Sequence, residues 1–137
     1  MTGVRLPDEI RPVMESGIPL VLSTCSKDGE PNVAVISQAY YVDAEHVALS
    51  YQFFSKTIRN VRENPRATLC LHDIWNARRF VLGLLYDRSE TEGEVFERMS
   101  LEIEAIASAT GMSGIFKLRS ADIYRVTSVE CLPCLPA

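Results

Sequence analysis

Long hydrophobic runs are missing from this sequence. None approaches the roughly 18 apolar residues of a membrane-spanning helix, and no basic segment followed by an apolar one opens the chain as a secretory leader would. The expectation is a cytoplasmic protein with no membrane partner. Positive charge is also scarce: 14 Lys and Arg against 18 Asp and Glu leave a net charge of −4. A phosphate backbone is held by a basic surface, so nucleic acid is excluded as a general partner. Only four cysteines are present. Cys25 and Cys70 lie in strand-like segments, where isolated cysteines behave as small buried hydrophobes. Cys131 and Cys134 form a C-x-x-C near the end of the chain. Zinc would need two further ligands at matching spacing, and a redox pair would precede a helix. An ordinary tail is expected there, and no metal. No G-x-S-x-G nucleophile signature occurs. His46 falls in a turn and His72 on the polar face of a strand, so no catalytic residue is named.

What is there is enough for one domain, residues 1–137, since chains of about 100–150 residues commonly form one. A core of this size needs no disulfide staples. The opening "LPDEIRPVMESG" reads as a short helix, with Pro7 at its first position and Gly17 at its stop. Two apolar runs, 18–25 and 32–42, flank "SKDGEPN", a hairpin signature. With "VALSYQFF" they predict a three-stranded antiparallel meander. "RATLCLHD" alternates as a strand with one half-polar face. "RRFVLGLLYD" is apolar on both faces, which calls for a covering second subunit, and Gly83 within it marks a bulge or a close backbone approach. "TEGEVFERMSLEIEAIASATG" is the one long helix, with a capping box at Thr91 and Glu94. Val95, Met99, Ile103 and Ile106 form its apolar stripe. A last strand runs through "IFKLRSADIYRVTSVE". The sum is about six strands, mostly antiparallel, with two short helices and one longer one: a β-barrel decorated with helices, mainly β in an α+β sense.

One stretch carries chemistry. In "FFSKTIRNVRENPRATLCL" a strand hands over to a helix at Ser55-Lys56-Thr57. The first N–H groups of a helix lack intrahelical partners, and its macrodipole is positive there. Ser55 suits the N-cap. An ammonium and two hydroxyls added to that end make an anion site, and a phosphate monoester matches it better than a carboxylate. Arg59 and Arg62 add positive potential. Ser55 would cap the helix, and Lys56 could be solvated, without any ligand.

The order of elements, "PNVAVIS" followed by "VALSYQFFSKTIRNVRENPRATLCL", resembles the split barrels that bind flavin mononucleotide (FMN) and are related to pyridoxamine 5′-phosphate oxidase. The motif residues are Ser55, Lys56, Thr57, Asn64, Pro65 and Arg66. The resemblance spans roughly residues 10 to 130 in element order, and its specific motif about 50 to 72. It implies a six-stranded antiparallel split barrel with FMN at a homodimer interface. Lys56 and Thr57, helped by Ser55, would hold the phosphate. The backbone of Val35, Ile36, Ser37 and Gln38 would run along the isoalloxazine ring. Tyr51, Gln52 and Phe53 would line the ribityl chain and ring, and Asn60 would reach the ribityl or phosphate oxygens. Trp75, Arg78 and Arg79 are candidates for contacts across the dimer. Oxidases of pyridoxamine phosphate carry a further arginine-rich C-terminal segment, and "SADIYRVTSVECLPCLPA" offers none, so that particular activity is not implied. Two readings follow: an FMN-dependent oxidoreductase passing electrons between a small donor and an acceptor, or a non-catalytic module that binds a flavin or another phosphorylated ligand as a sensor or dimerisation unit.

Overall fold

The computed structural model describes residues 3–36, 38–51, 55–109, 111 and 118–133, and the side chains of all of these except Tyr51, Ser55 and Ile106. Ser37, Gln52, Phe53 and Cys134 lie outside the described residues. In chain order the elements are α1 (Ile10–Met14), β1 (Leu20–Cys25), β2 (Pro31–Ile36), β3 (Ala39–Asp43), β4 (His46–Tyr51), α2 (Ser55–Glu63), β5 (Arg66–Asp73), β6 (Arg78–Glu90), α3 (Glu94–Ala109) and β7 (Ser120–Pro133).

Seven strands form one antiparallel sheet in the order β2-β1-β5-β6-β7-β4-β3. Ile36 from one edge strand and Ala39 and Tyr41 from the other pack into the same core cluster. The sheet is therefore curled into a barrel, with its seam between β2 and β3. This adds one strand to the six expected and corrects the meander. The run 32–42 is two strands, and they lie at opposite ends of the sheet. The reason is visible in the side-chain pattern. Through β2 every second residue from Ala34 faces inward, but Gln38 and Ala39 are both buried in succession. A strand cannot bury neighbouring side chains on one face, so the chain breaks and crosses the seam.

Period-two patterning fills the barrel. Leu20 and Leu22 of β1, Leu69 and Leu71 of β5, and Phe80, Leu82 and Leu84 of β6 all point inward and are nearly inaccessible. Met99 and Ile103 of α3 cover a second cluster with Ala48, Ala121 and Ile123. That helix begins at Glu94, after Gly93 at φ +98°, so Gly93 rather than Thr91 precedes its first residue and the start moves inward by two residues. Helix α1 likewise begins at Ile10 rather than Pro7 and buries Ile10, Val13 and Met14. Cys131 lies within β7 opposite Phe80, in a strand rather than a tail. Cys25 and Cys70 are half-buried on the outer face.

Gly83 is both the bulge and the close approach that its position suggested. The β6–β7 register shifts between Gly83 and Leu84. A Cβ at Gly83 would lie 2.3 Å from Ser128 Oγ and 2.9 Å from Thr127 Oγ1. The inward face of β7 also buries a carboxylate, Asp122, which is 5% exposed. Its Oδ1 accepts hydrogen bonds from Ser89 Oγ at 2.7 Å and Ser120 Oγ at 2.8 Å. Burial raises its pKa above the ordinary carboxyl value, against the opposing pull of the two serines and Arg62.

Two outcomes follow. Gly83→Ala should lower unfolding stability by about 1–3 kcal/mol, the usual range for forcing extra volume into a packed site; a Ser128→Ala background should return part of the loss, and denaturant titration reads both. For Asp122 the native state binds the proton more tightly than the unfolded chain does. Its contribution is present at and below the ordinary aspartate range and is lost as pH rises through the raised native pKa. Asp122→Asn keeps an acceptor for both serines, so stability measured from pH 4 upward should lose that part of its decline.

Candidate anion site at the start of helix α2

Helix α2 lies against the β1–β2 hairpin because its sequence carries two stripes. Ile58 and Val61, three apart, are 7% and 1% exposed and close the end of the barrel. Thr57 and Asn60, also three apart, are 8% and 3% exposed and face the hairpin. Burying a hydroxyl and an amide is tolerated when each finds a partner. Asn32 Nδ2 donates to Thr57 Oγ1 at 3.2 Å, and Asn60 Nδ2 donates to Thr24 Oγ1 at 3.2 Å. These two bonds fix the height and the rotation of the helix start over the hairpin. Arg59 and Arg62 stay on the exposed side, and Asn64-Pro65 ends the helix directly before β5.

Lys56, next to Thr57, projects outward. Its Nζ lies 2.8 Å from Glu30 Oε1, and both side chains are largely in solvent. The lysine ammonium holds the Glu30 carboxyl below its ordinary pKa. Glu30 is set in place by the tight hairpin turn. Its N–H donates to Ser26 Oγ at 3.0 Å, its carbonyl accepts from Ser26 N–H at 2.9 Å, and Gly29 supplies φ +88°. The start of α2 thus gathers an ammonium, a threonine hydroxyl, an asparagine amide and the helix's own positive end.

From Asn32 the strand leads away towards the other candidates. Strand β2 is a sheet edge, so every second N–H and C=O along its free side has no ladder partner. Val35 is 60% exposed, while Ile36 turns into the core. Gln38 is buried and donates through Nε2 to Glu102 Oε2. Among the described residues its Oε1 is the buried side-chain atom left without a partner. Gln38 also lines a cavity of about 310 Å³ with Met14, Gly17, Tyr40, Tyr41 and Glu102. From Asn32 to Ile36 the strand spans roughly 13 Å at strand rise.

Of the residues singled out in the sequence, Lys56, Thr57 and Asn60 converge on the hairpin, Val35 and Ile36 follow along β2, and Gln38 lies beyond the end of that strand. Ser55 is the first residue of α2 and Tyr51 the last of β4. Their side chains, like Ser37, Gln52 and Phe53, lie outside the described residues. Trp75, Arg78 and Arg79 sit at the separate β5–β6 turn. There Arg78 pairs with Asp73 at 2.9 Å and with Glu9 at 3.2 Å, and Trp75 is 67% exposed. His46 pairs with Asp43 at 2.9 Å at the β3–β4 turn, away from α2. Thr24, Glu30 and Asn32 were not singled out. They sit on a turn and strand whose sequence signals only a hairpin, more than 20 residues from their partners.

The family model described as pyridoxamine 5′-phosphate oxidase matches residues 6–125. A relative from Methanocaldococcus jannaschii, named only as an uncharacterized protein, is 38% identical over 68 residues. That match takes in 48% of this chain and 45% of the relative, so it spans less than half of the relative's length. An FMN-binding protein from Syntrophomonas wolfei subsp. wolfei shares the fold at a TM-score of 0.74 and 20% identity, over 94% of this chain and 87% of the other. HutZ, the haem storage protein from Vibrio cholerae, aligns at 0.59 and 18% identity, over 94% of each chain. These two relatives are named for different ligands, so the shared fold does not select between them.

Proposed function

Because the chain belongs to the pyridoxamine 5′-phosphate oxidase family, we propose that it is an FMN-binding oxidoreductase, acting as a homodimer between a small electron donor and an acceptor. The observation that carries this reading is the polar start of α2, where Lys56 and Thr57 stand together above Asn32. A haem carries carboxylates rather than a phosphate, and a compact set of an ammonium, a hydroxyl and a helix start matches a phosphate monoester better than a carboxylate. A flavin mononucleotide has a doubly charged phosphate at one end and a ring with N–H and C=O groups at the other. The residues fit both ends. Donors lie at the start of β2, and further along are the free edge of that strand and the unpartnered oxygen of Gln38. In this reading the β2 edge between them would carry the ribityl chain and the ring together.

In this reading Lys56 and Thr57 hold the phosphate, with the Thr57 hydroxyl hydrogen donated to it while Asn32 keeps the oxygen oriented. Asn60 is a positioning residue, since its amide is spent on Thr24. Val35 to Gln38 orient the ring through backbone groups. When bound, FMN supplies hydride or single-electron transfer at its ring N5 and C4a. The protein's share is to bind, to orient and to exclude water.

The dimer is supported by the outer sheet face. In register across four strands stand Val35, Val21, Cys70 and Val81. Beside them Val33 is 65% exposed. A row of this kind on one sheet face suits a second copy, which would close the flavin edge of β2.

Three measurements test the proposal. The protein mixed with FMN should quench flavin fluorescence and turn over with a nicotinamide donor; bound flavin without turnover would favour a carrier or sensor. Lys56→Ala should weaken FMN by about 1.5–3 kcal/mol, the worth of a hydrogen bond to a charged group, and an unchanged titration would remove the phosphate assignment. Val35→Lys should shift the sedimentation coefficient to that of a monomer, and an unaltered dimer would remove β2 from the interface.

A further inference from the structure

The ammonium placed to meet a ligand phosphate is already engaged. Lys56 Nζ reaches Glu30 Oε1 at 2.8 Å, across 26 residues of sequence. The contact is not an accident of two loose side chains, because the Glu30 backbone is bound twice to Ser26 in a turn shaped by Gly29. Thr57, one residue on, is oriented by Asn32 two residues beyond Glu30 in the same hairpin. One short hairpin thus carries both a group that prepares the anion site and a group that competes for it.

We propose that Glu30 is an affinity-setting residue of this site: its carboxylate takes the place of the ligand's phosphate on Lys56, and the phosphate displaces it on binding. The inference rests on the reading of α2 as a phosphate site. An incoming dianion meets one cation already neutralised and one carboxylate it repels. Both effects weaken binding, and both are absent for a ligand without the phosphate. The carboxyl is held ionised by the lysine that it occupies, so the competition persists through neutral pH. Exposed ion pairs of this kind are individually weak. The device therefore trims affinity and does not block the site.

The test is a four-variant titration at fixed ionic strength: wild type, Glu30→Gln, Lys56→Ala and the double variant. FMN is read by fluorescence quenching and inorganic phosphate by calorimetry, with circular dichroism confirming that each variant folds. Glu30→Gln should tighten FMN by roughly two- to fivefold, the scale of one exposed ion pair. The gain should shrink in the Lys56→Ala background, where there is no ammonium to release. Unchanged or weaker FMN binding by Glu30→Gln, or an equal gain with and without Lys56, overturns the proposal while leaving the flavin reading intact. If no variant binds FMN but Glu30→Gln gains inorganic phosphate, the flavin reading falls and the competition stands. No binding of either anion to any variant overturns both.

Discussion

Two hydrogen bonds, one part-buried and one buried, hold the geometry on which the rest depends: Asn32 to Thr57 and Asn60 to Thr24. They fasten α2 to the β1–β2 hairpin and so decide where its positive end points. A helix held only by Ile58 and Val61 could slide on an apolar surface, because hydrophobic contact is non-directional. An amide donating to a hydroxyl is directional, and leaving it unmade in a buried place costs about 1–3 kcal/mol. The start of the helix is therefore registered against Glu30 and Asn32, and those residues become part of the site although they are distant in sequence.

The same hairpin links local chemistry to the architecture. Its second strand, β2, is an edge because the chain crosses the seam at Gln38 instead of turning back on itself. An exposed edge with Val33 and Val35 outward is a liability for an isolated barrel. It becomes useful if a ligand and a second copy cover it. The pairing of a polar helix start with an unfilled strand edge is what separates this barrel from a plain apolar one.

Much of this was legible in the sequence, for reasons that can be named. Asp28-Gly29 and Pro31 mark the hairpin because few other residues make that turn. Ser55 to Pro65 reads as a helix because Ile58 and Val61 share a face and Asn-Pro stops it. Gly83 announces its bulge because a glycine amid apolar strand residues has no packing role of its own. What stayed hidden depends on contacts between distant segments. The split of 32–42 into two strands turns on the burial of Gln38, and a polar residue in an apolar run does not announce that it is inside. Asp122 looks like a surface aspartate until Ser89 and Ser120 are seen to meet it. Glu30 looks like a turn residue until Lys56 folds over it.

The central claim is that this helix start recognises a phosphate group. The most direct measurement compares the affinities of the unmodified protein for FMN and for riboflavin, which differ only by that phosphate. The account predicts that FMN binds at least about tenfold more tightly, since one charge-assisted hydrogen bond supplies about 1.5–3 kcal/mol, and that the gap narrows as salt screens the exposed ammonium. Equal affinities at low salt would contradict it.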